Sequence, residues 1–172
     1  MRTILSMLLS ICILVLQQTT VMAEGYGKAF IPSFHSEYAS PDALHTFYLH
    51  VSNIVDQAVS VKVTFYDNQG NIISGSSNIS GNNLHNVDYS PTGYSITFDL
   101  YSNATSEVHL KIPYDTQTYS FYGYGKIEWV IGNGNDETDA VIANGTIIKS
   151  TKETERRTCA LQNILINRGM PF

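Results

Sequence analysis

Cysteine is almost absent from this sequence, since only Cys12 and Cys159 occur among its 172 residues. Cys12 lies in an N-terminal segment that we predict to be removed, so Cys159 would be the only cysteine of the mature chain. An intramolecular disulfide is then excluded, and stability must come from a hydrophobic core. We expect Cys159 to be a buried structural thiol, with an intermolecular bridge as the alternative.

Positive charge is also scarce. The chain has 10 lysines and arginines against 15 aspartates and glutamates, which gives a formal net charge of −5. Removal of Arg2 with the N-terminal segment would change that charge from −5 to −6. A mildly acidic protein has little electrostatic attraction for nucleic acid or anionic lipid. We therefore expect neither of them as a partner.

Long apolar runs are missing apart from Ile4 to Leu16. This run is shorter than the roughly 20 residues of a spanning helix. It follows a basic start at Arg2 and is followed by Val21-Met22-Ala23, which is typical of a signal-peptide cleavage site. We predict a signal peptide over residues 1–23 and one domain over residues 24–172, exported from a bacterium to the periplasm or the exterior, with no membrane insertion afterwards.

The motifs of common catalytic and metal sites are absent, because no GxSxG, HExxH or paired CxxC occurs. Five residues near one another in sequence could suggest a metal site: His35, Glu37, Asp42, His45 and His50. His45 and His50 are an odd number of residues apart, so on one regular strand their side chains would point to opposite faces. We expect structural histidines, no metal ion, no cofactor and no enzymatic activity.

The segment from Gly132 to Asp139 is rich in oxygen-bearing side chains. Its acids do not follow the EF-hand spacing, and the bidentate glutamate at the loop end is missing. We interpret the segment as an acidic hairpin loop, with a weak calcium site as the alternative.

The dominant pattern that is present is alternation of apolar and polar residues in short runs. In Ala58 to Asp67, four apolar side chains (Val59, Val61, Val63 and Phe65) alternate with polar ones. This is typical of a strand with one buried face. The following Asp67-Asn68-Gln69-Gly70-Asn71 favours a tight turn, and we predict a hairpin whose return strand begins at Ile72-Ile73.

Similar runs predict eight or nine short strands. The other runs are Ala29 to Phe34, Thr46 to Ser52, Tyr94 to Leu100, Glu107 to Ile112, Tyr122 to Ile131, Ala140 to Lys149 and Asn163 to Ile166. Short strands without long intervening helices favour an all-β fold, an antiparallel two-sheet β-sandwich of immunoglobulin-like or jelly-roll-like type, with a closed barrel as the alternative. Thr151 to Leu161 alone is expected to form a short helix or an exposed charged connection.

Aromatic residues concentrate between Tyr119 and Trp129. On a strand, Tyr122, Tyr124 and Lys126 share one face, whereas Ile127 and Trp129 lie on the other with the core. The first set is a candidate binding strip, because tyrosine offers a large amphipathic contact at low entropic cost. Cross-strand tyrosine pairing on an ordinary exposed sheet is the alternative.

Two functions stay open. The preferred one is a non-enzymatic binding or structural protein that contacts a protein or glycan partner through this strip. The second is an extracellular hydrolase acting on a polymer, with acids such as Glu128 and Asp99 brought together by the fold. The hydrolase requires a cleft where titratable groups converge.

Several segments resemble a family of small secreted bacterial β-sandwich proteins without an established activity. They are Phe30 to Ser33, Phe47 to Ile54, Val61 to Asp67, Gly123 to Trp129 and Ile166 to Phe172. The resemblance implies secretion and a β-sandwich, and it implies no site residues. In Ile31-Pro32 and Phe65-Tyr66-Asp67 the chain is also similar to the sensory rhodopsin transducer-like β-sandwiches, which act by binding and oligomerising.

Overall fold

The computed structural model describes residues 25–40, 43–73, 79–90, 95–110, 119–132, 137–153 and 156–172. The predicted signal peptide lies outside them. The described residues form ten strands: β1 (Gly25–Ser40), β2 (Ala43–Asn53), β3 (Val59–Asp67), β4 (Ile79–Asn82), β5 (His85–Tyr89), β6 (Ser95–Leu100), β7 (Thr105–Leu110), β8 (Tyr119–Ile131), β9 (Val141–Glu153) and β10 (Arg156–Leu165). A 3₁₀ turn, Asn167–Gly169, follows β10. No helix in the described ranges is long and apolar enough to cross a membrane.

The strands form one antiparallel sheet in the order β10-β9-β2-β1-β8-β3-β6-β5, with β7 paired to β2 and β4 paired to β7. The sheet curls into a half-barrel. The predicted all-β antiparallel class is confirmed. The two-sheet sandwich is not confirmed. β1 and β2 pair from Glu37↔His45 to Ser40↔Ala43, so the hydrogen-bonded ladder runs through all the strands as one sheet.

The eight runs predicted as strands overlap β1, β2, β3, β6, β7, β8, β9 and β10. The predicted hairpin after β3 is confirmed in a short form, since Ile72 bridges Tyr66 and the Ile73 amide donates to the Phe65 carbonyl. Gly70 has the positive φ of 87° that this turn requires.

The short helix expected at Thr151 to Leu161 is wrong, because the described residues of this segment are strands; the exposure expected in the alternative is found at residues 151–152 and 159–161. Residues 151–153 end β9, residues 156–161 begin β10, and Cys159 lies opposite Ser150 in the ladder. Strand pairing to β9 therefore overrides the local preference of this charged segment. The strands β4 and β5 were not predicted because they are short and, in β5, the burial does not alternate regularly.

Side chains on the concave face fill one core. Phe34 of β1, Phe47 of β2 and Phe65 of β3 meet there, with ring centroids 5.2 to 6.0 Å apart. Because β2 belongs to one end of the strand order and β3 to the other, this aromatic cluster packs the two halves of the sheet together. Edge-to-face contact of the Phe34 and Phe65 rings suits the aromatic quadrupole.

Two buried polar side chains also join the halves. The Trp129 indole of β8 donates to the main-chain oxygen of Phe172 at 2.5 Å, and Phe172 exchanges two main-chain hydrogen bonds with Val141 at the start of β9. The Asn53 amide at the end of β2 donates to the carbonyls of Gln57, Leu100 and Tyr101. Each polar group thus replaces its lost hydration with protein hydrogen bonds.

A β-bulge in β1 reverses which side chains face outward. Ile31 lies opposite Gly125 and Phe34 opposite Gly123, so β1 has one extra residue in this interval. Before the bulge Phe30 is exposed and Ile31 is buried; after it Phe34 is buried and His35 is half exposed. Such bulges redirect side chains, and this one directs His35 and Glu37 to the outer face.

Gly123 of β8 lies against the backbone of β3, where an added Cβ would collide with the Tyr66 carbonyl oxygen. We expect Gly123→Ala to destabilise the protein by about 3 kcal/mol, the upper end of overpacking costs, because the obstacle is backbone and cannot rotate away. Urea unfolding monitored by circular dichroism measures this difference.

The control is Gly132→Ala, since no atom lies within 4 Å of a Cβ added at Gly132. We expect this variant to unfold within about 0.5 kcal/mol of the wild type. Equal midpoints for the two variants would show that β3 and β8 do not approach as closely as described.

Candidate binding surface

The tyrosine strip, defined here as Tyr122, Tyr124 and Lys126, lies on the outer face of β8. Tyr122 is 52% exposed and Tyr124 36% exposed, whereas Ile127 and Trp129 are buried. The alternation inferred from sequence thus describes the two faces of this strand correctly. It follows that the strip is accessible to a partner.

A third tyrosine extends the strip across the sheet. Tyr66 of β3 is the registered partner of Tyr124, and their rings stack with centroids 4.9 Å apart and planes 9° from parallel. The sequence shows Tyr66 on the outward side of β3, but only strand order places β3 beside β8. The cross-strand pairing expected as the alternative is therefore present, with the two rings face to face, and this stacked pair is called the aromatic platform below.

A polar groove of about 500 Å³ lies beside this platform. Its lining is Lys62, Thr64, Tyr66, Ile72, Asp88, Ser90, Ser95, Thr97, Lys126 and Glu128. Lys126 and Glu128 form an ion pair with Nζ and Oε1 2.6 Å apart, and this hydrogen bond raises the pKa of Lys126 above its usual value. The groove therefore combines fixed charges with hydroxyl groups that both donate and accept hydrogen bonds.

A smaller depression of about 330 Å³ lies next to Tyr122 and the turn after β3. In that turn the Asp67 carboxylate accepts hydrogen bonds from the amides of Gln69 and Asn71, each at 2.8 Å. The Asn68 side chain in turn donates to the Tyr122 hydroxyl at 3.3 Å. The turn thus positions one end of the tyrosine strip.

The acids proposed for hydrolysis are not brought together as a pair. Glu128 binds Lys126, whereas Asp99 of β6 accepts a hydrogen bond from Asn86 at 2.7 Å and does not line the groove. Asp88 of β5 lines the groove with Glu128 instead. Any carboxylate chemistry in the groove would therefore use Asp88 and Glu128.

Four of the five histidines form two clusters, whereas His85 stacks on Tyr101. In the first, Glu37 Oε2 lies 3.4 Å from both His35 Nε2 and His45 Nδ1, and burial together with the charge of His35 lowers the pKa of His45. In the second, the Glu107 carboxylate lies 3.3 Å from His50 Nε2 and 3.4 Å from His109 Nδ1. His45 and His50 are in different clusters. The partner of His45 is Glu37 and that of His50 is Glu107, each on a neighbouring strand.

Other sequence expectations have different outcomes. Cys159 is exposed, so the prediction of a buried thiol is wrong: the residue lies on β10 at the end of the strand order, where the sheet covers it less. Asp42 and half of the acidic loop, residues 133–136, lie outside the described residues.

Comparison of the chain with protein-family models, with curated proteins and with solved structures finds no match. The resemblances stated above therefore stay predictions, and function is argued from the surface itself.

Hydrogen bonds from the turn after β3, the Asn71 amide above all, lower the pKa of Asp67 below its usual 3.8. The ionised carboxylate therefore stabilises the fold above pH 3.8, and this contribution is lost as the pH falls through the lower folded-state pKa. We expect Asp67→Asn to have a lower Tm than the wild type at neutral pH, with a difference that closes in acid. Thermal unfolding across a pH series measures it.

Asparagine retains a side-chain oxygen that accepts turn hydrogen bonds but cannot ionise, so it isolates the charged contribution. A Tm difference that stays constant down to the acid end of the series would contradict this account of Asp67.

Proposed function

We propose that the protein is a secreted, non-enzymatic binding protein whose ligand is a glycan, bound on the outer face of β8 and β3. The observation that carries this proposal is the stacked pair of Tyr66 and Tyr124 beside the polar groove. The outer ring face of a stacked tyrosine pair can pack against the apolar face of a sugar ring, and the groove offers groups for its hydroxyls. A protein partner is the next choice for the same surface.

The chemistry of the groove supports a neutral or mixed ligand. Lys126 and Glu128 neutralise each other, and Lys62 and Asp88 add one charge of each sign. Ser90, Ser95 and Thr97 contribute hydroxyls to the same lining. A polyanion would gain little here, whereas polyhydroxylated rings would find both donors and acceptors.

We also propose that the two halves of the curled sheet pack face to face like the two layers of a β-sandwich. The support is the contact of Phe34, Phe47 and Phe65 between the halves. In this arrangement the outer faces stay free for ligands while the inner faces form the core.

A hydrolase acting on an extracellular polymer is the second candidate. The observation in its favour is that Asp88 and Glu128 line one groove. Two carboxylates across a bound sugar are the usual machinery of glycoside hydrolysis.

Isothermal titration against a panel of bacterial and host polysaccharides tests the glycan proposal. We expect saturable binding that Tyr124→Ala and Tyr66→Ala each weaken by about tenfold or more, because either change removes half of the aromatic platform. Tyr124→Phe should bind nearly as well as the wild type, since the ring is kept.

The matched control is Tyr101→Ala. Tyr101 is 51% exposed and stacks on His85 of β5, and not on Tyr66 or Tyr124. Equal losses in the Tyr101 and Tyr124 variants would contradict the assignment of the surface. Sugars released during incubation, and lost in Glu128→Gln, would replace it with the hydrolase. Absence of both binding and products across the panel would favour a protein partner.

A further inference from the structure

We propose that His35, Glu37 and His45 form a binding site for a divalent transition-metal cation, with Zn²⁺ as the best-matched ion. One potential ligand atom from each residue lies within 4.8 Å of the other two. Among the residues that the structure describes, no other three histidine, cysteine or acidic side chains meet this condition. The proposal does not depend on glycan binding.

The distances between these atoms suit tetrahedral coordination. Zinc binds histidine nitrogen and carboxylate oxygen at about 2.0 to 2.2 Å, so ligand atoms at tetrahedral angles lie roughly 3.3 to 3.5 Å apart. His35 Nε2 and His45 Nδ1 are each 3.4 Å from Glu37 Oε2. The third separation, between the two histidine nitrogens, is within 4.8 Å, and metal binding would replace the contact of His35 Nε2 with the Ser120 hydroxyl.

The same distances are long for direct hydrogen bonds, which have nitrogen to oxygen separations of about 2.7 to 3.2 Å. His45 Nδ1 is buried and has no hydrogen-bond partner. A buried nitrogen without a partner is costly in a purely structural role. A metal ion would satisfy it.

The backbone holds the three ligands in place. His35 and Glu37 are two residues apart on β1 and so share a face, and His45 of β2 lies directly opposite Glu37. The buried Ser36 hydroxyl accepts a hydrogen bond from the Phe47 amide at 3.0 Å, which fixes β1 against β2 beside the cluster. The folded backbone thus holds the three ligand side chains close together before an ion binds, so binding loses little conformational entropy.

The charge and solvent exposure of the cluster also fit a cation. One carboxylate and two imidazoles are a ligand set that zinc accepts. Lys149 of β9, opposite His45, is the facing positive charge that opposes binding, but its side chain is exposed. Three protein ligands with partial exposure leave a fourth position for water or a ligand group, as in His₂Glu zinc sites.

The location gives the ion a structural effect. Glu37↔His45 is one of three residue pairs between β1 and β2, and this contact connects the two halves of the sheet. A ligand that binds the folded state and not the unfolded chain raises the Tm. Metal binding should therefore stabilise the protein as well as occupy the cluster.

The test uses the purified protein without a polyhistidine tag, stripped with a chelator and titrated with Zn²⁺ by calorimetry, with Tm measured at each metal concentration. We expect one ion per chain and a rise in Tm. His45→Ala should weaken affinity by at least about tenfold and abolish the rise in Tm. Glu37→Gln, which keeps the side-chain shape, should do the same and serves if the alanine variant does not fold.

The matched control is His50→Ala, which disrupts the His50 and Glu107 contact but leaves the proposed site intact. It should bind Zn²⁺ as the wild type does. The proposal is overturned if the wild type shows no stoichiometric binding, if Glu37→Gln binds normally, or if His50→Ala loses affinity as strongly as His45→Ala.

Discussion

The structure depends on the position of β1 in the strand order. β1 links one half of the sheet, β10-β9-β2, to the other half, β8-β3-β6-β5. β1 pairs with β8 from Gly25 to Tyr38 and with β2 only from Glu37 to Ser40. β1 joins the two halves in one hydrogen-bonded sheet, and the curl of that sheet brings Phe34 into contact with Phe47 and Phe65 on its concave face. Apart from the β1 to β2 pairing, the halves are joined by side chains: the phenylalanine cluster, the Trp129 indole and the Asn53 amide.

The bulge after Ile31 sets the chemistry of the outer face. A strand without the extra residue would keep even-numbered residues outward, so His35 and Glu37 would point into the core, where an unpaired charge is costly. With the bulge, both side chains emerge on the side that His45 reaches from β2. Phe34 simultaneously turns inward and joins the aromatic cluster. One inserted residue thus serves both the core and the surface.

Sequence reasoning was most successful where the information is local. The alternation in β3, the turn around Gly70 and the outward face of Tyr122 and Tyr124 all depend on neighbouring residues and were predicted correctly. Strand order is not local, so neither the Tyr66 and Tyr124 stack nor the pairing of His45 with Glu37 could be read from the chain. For the same reason the sequence pattern does not distinguish one curled sheet from a two-sheet sandwich. The charged start of β10 was misjudged because its partner β9 decides its conformation.

The two proposed sites lie on one surface because of register. His35 is the partner of Tyr122 across β1 and β8, and its Nε2 also lies 3.3 Å from the Ser120 hydroxyl of β8. The histidine cluster therefore contacts the strand that presents the tyrosine strip. However, the ligands of the cluster come from β1 and β2, whereas the aromatic platform comes from β3 and β8. Because each site is held by its own ladder, loss of the metal ligands leaves the Tyr66 and Tyr124 stack supported, and the two proposals stand or fall separately.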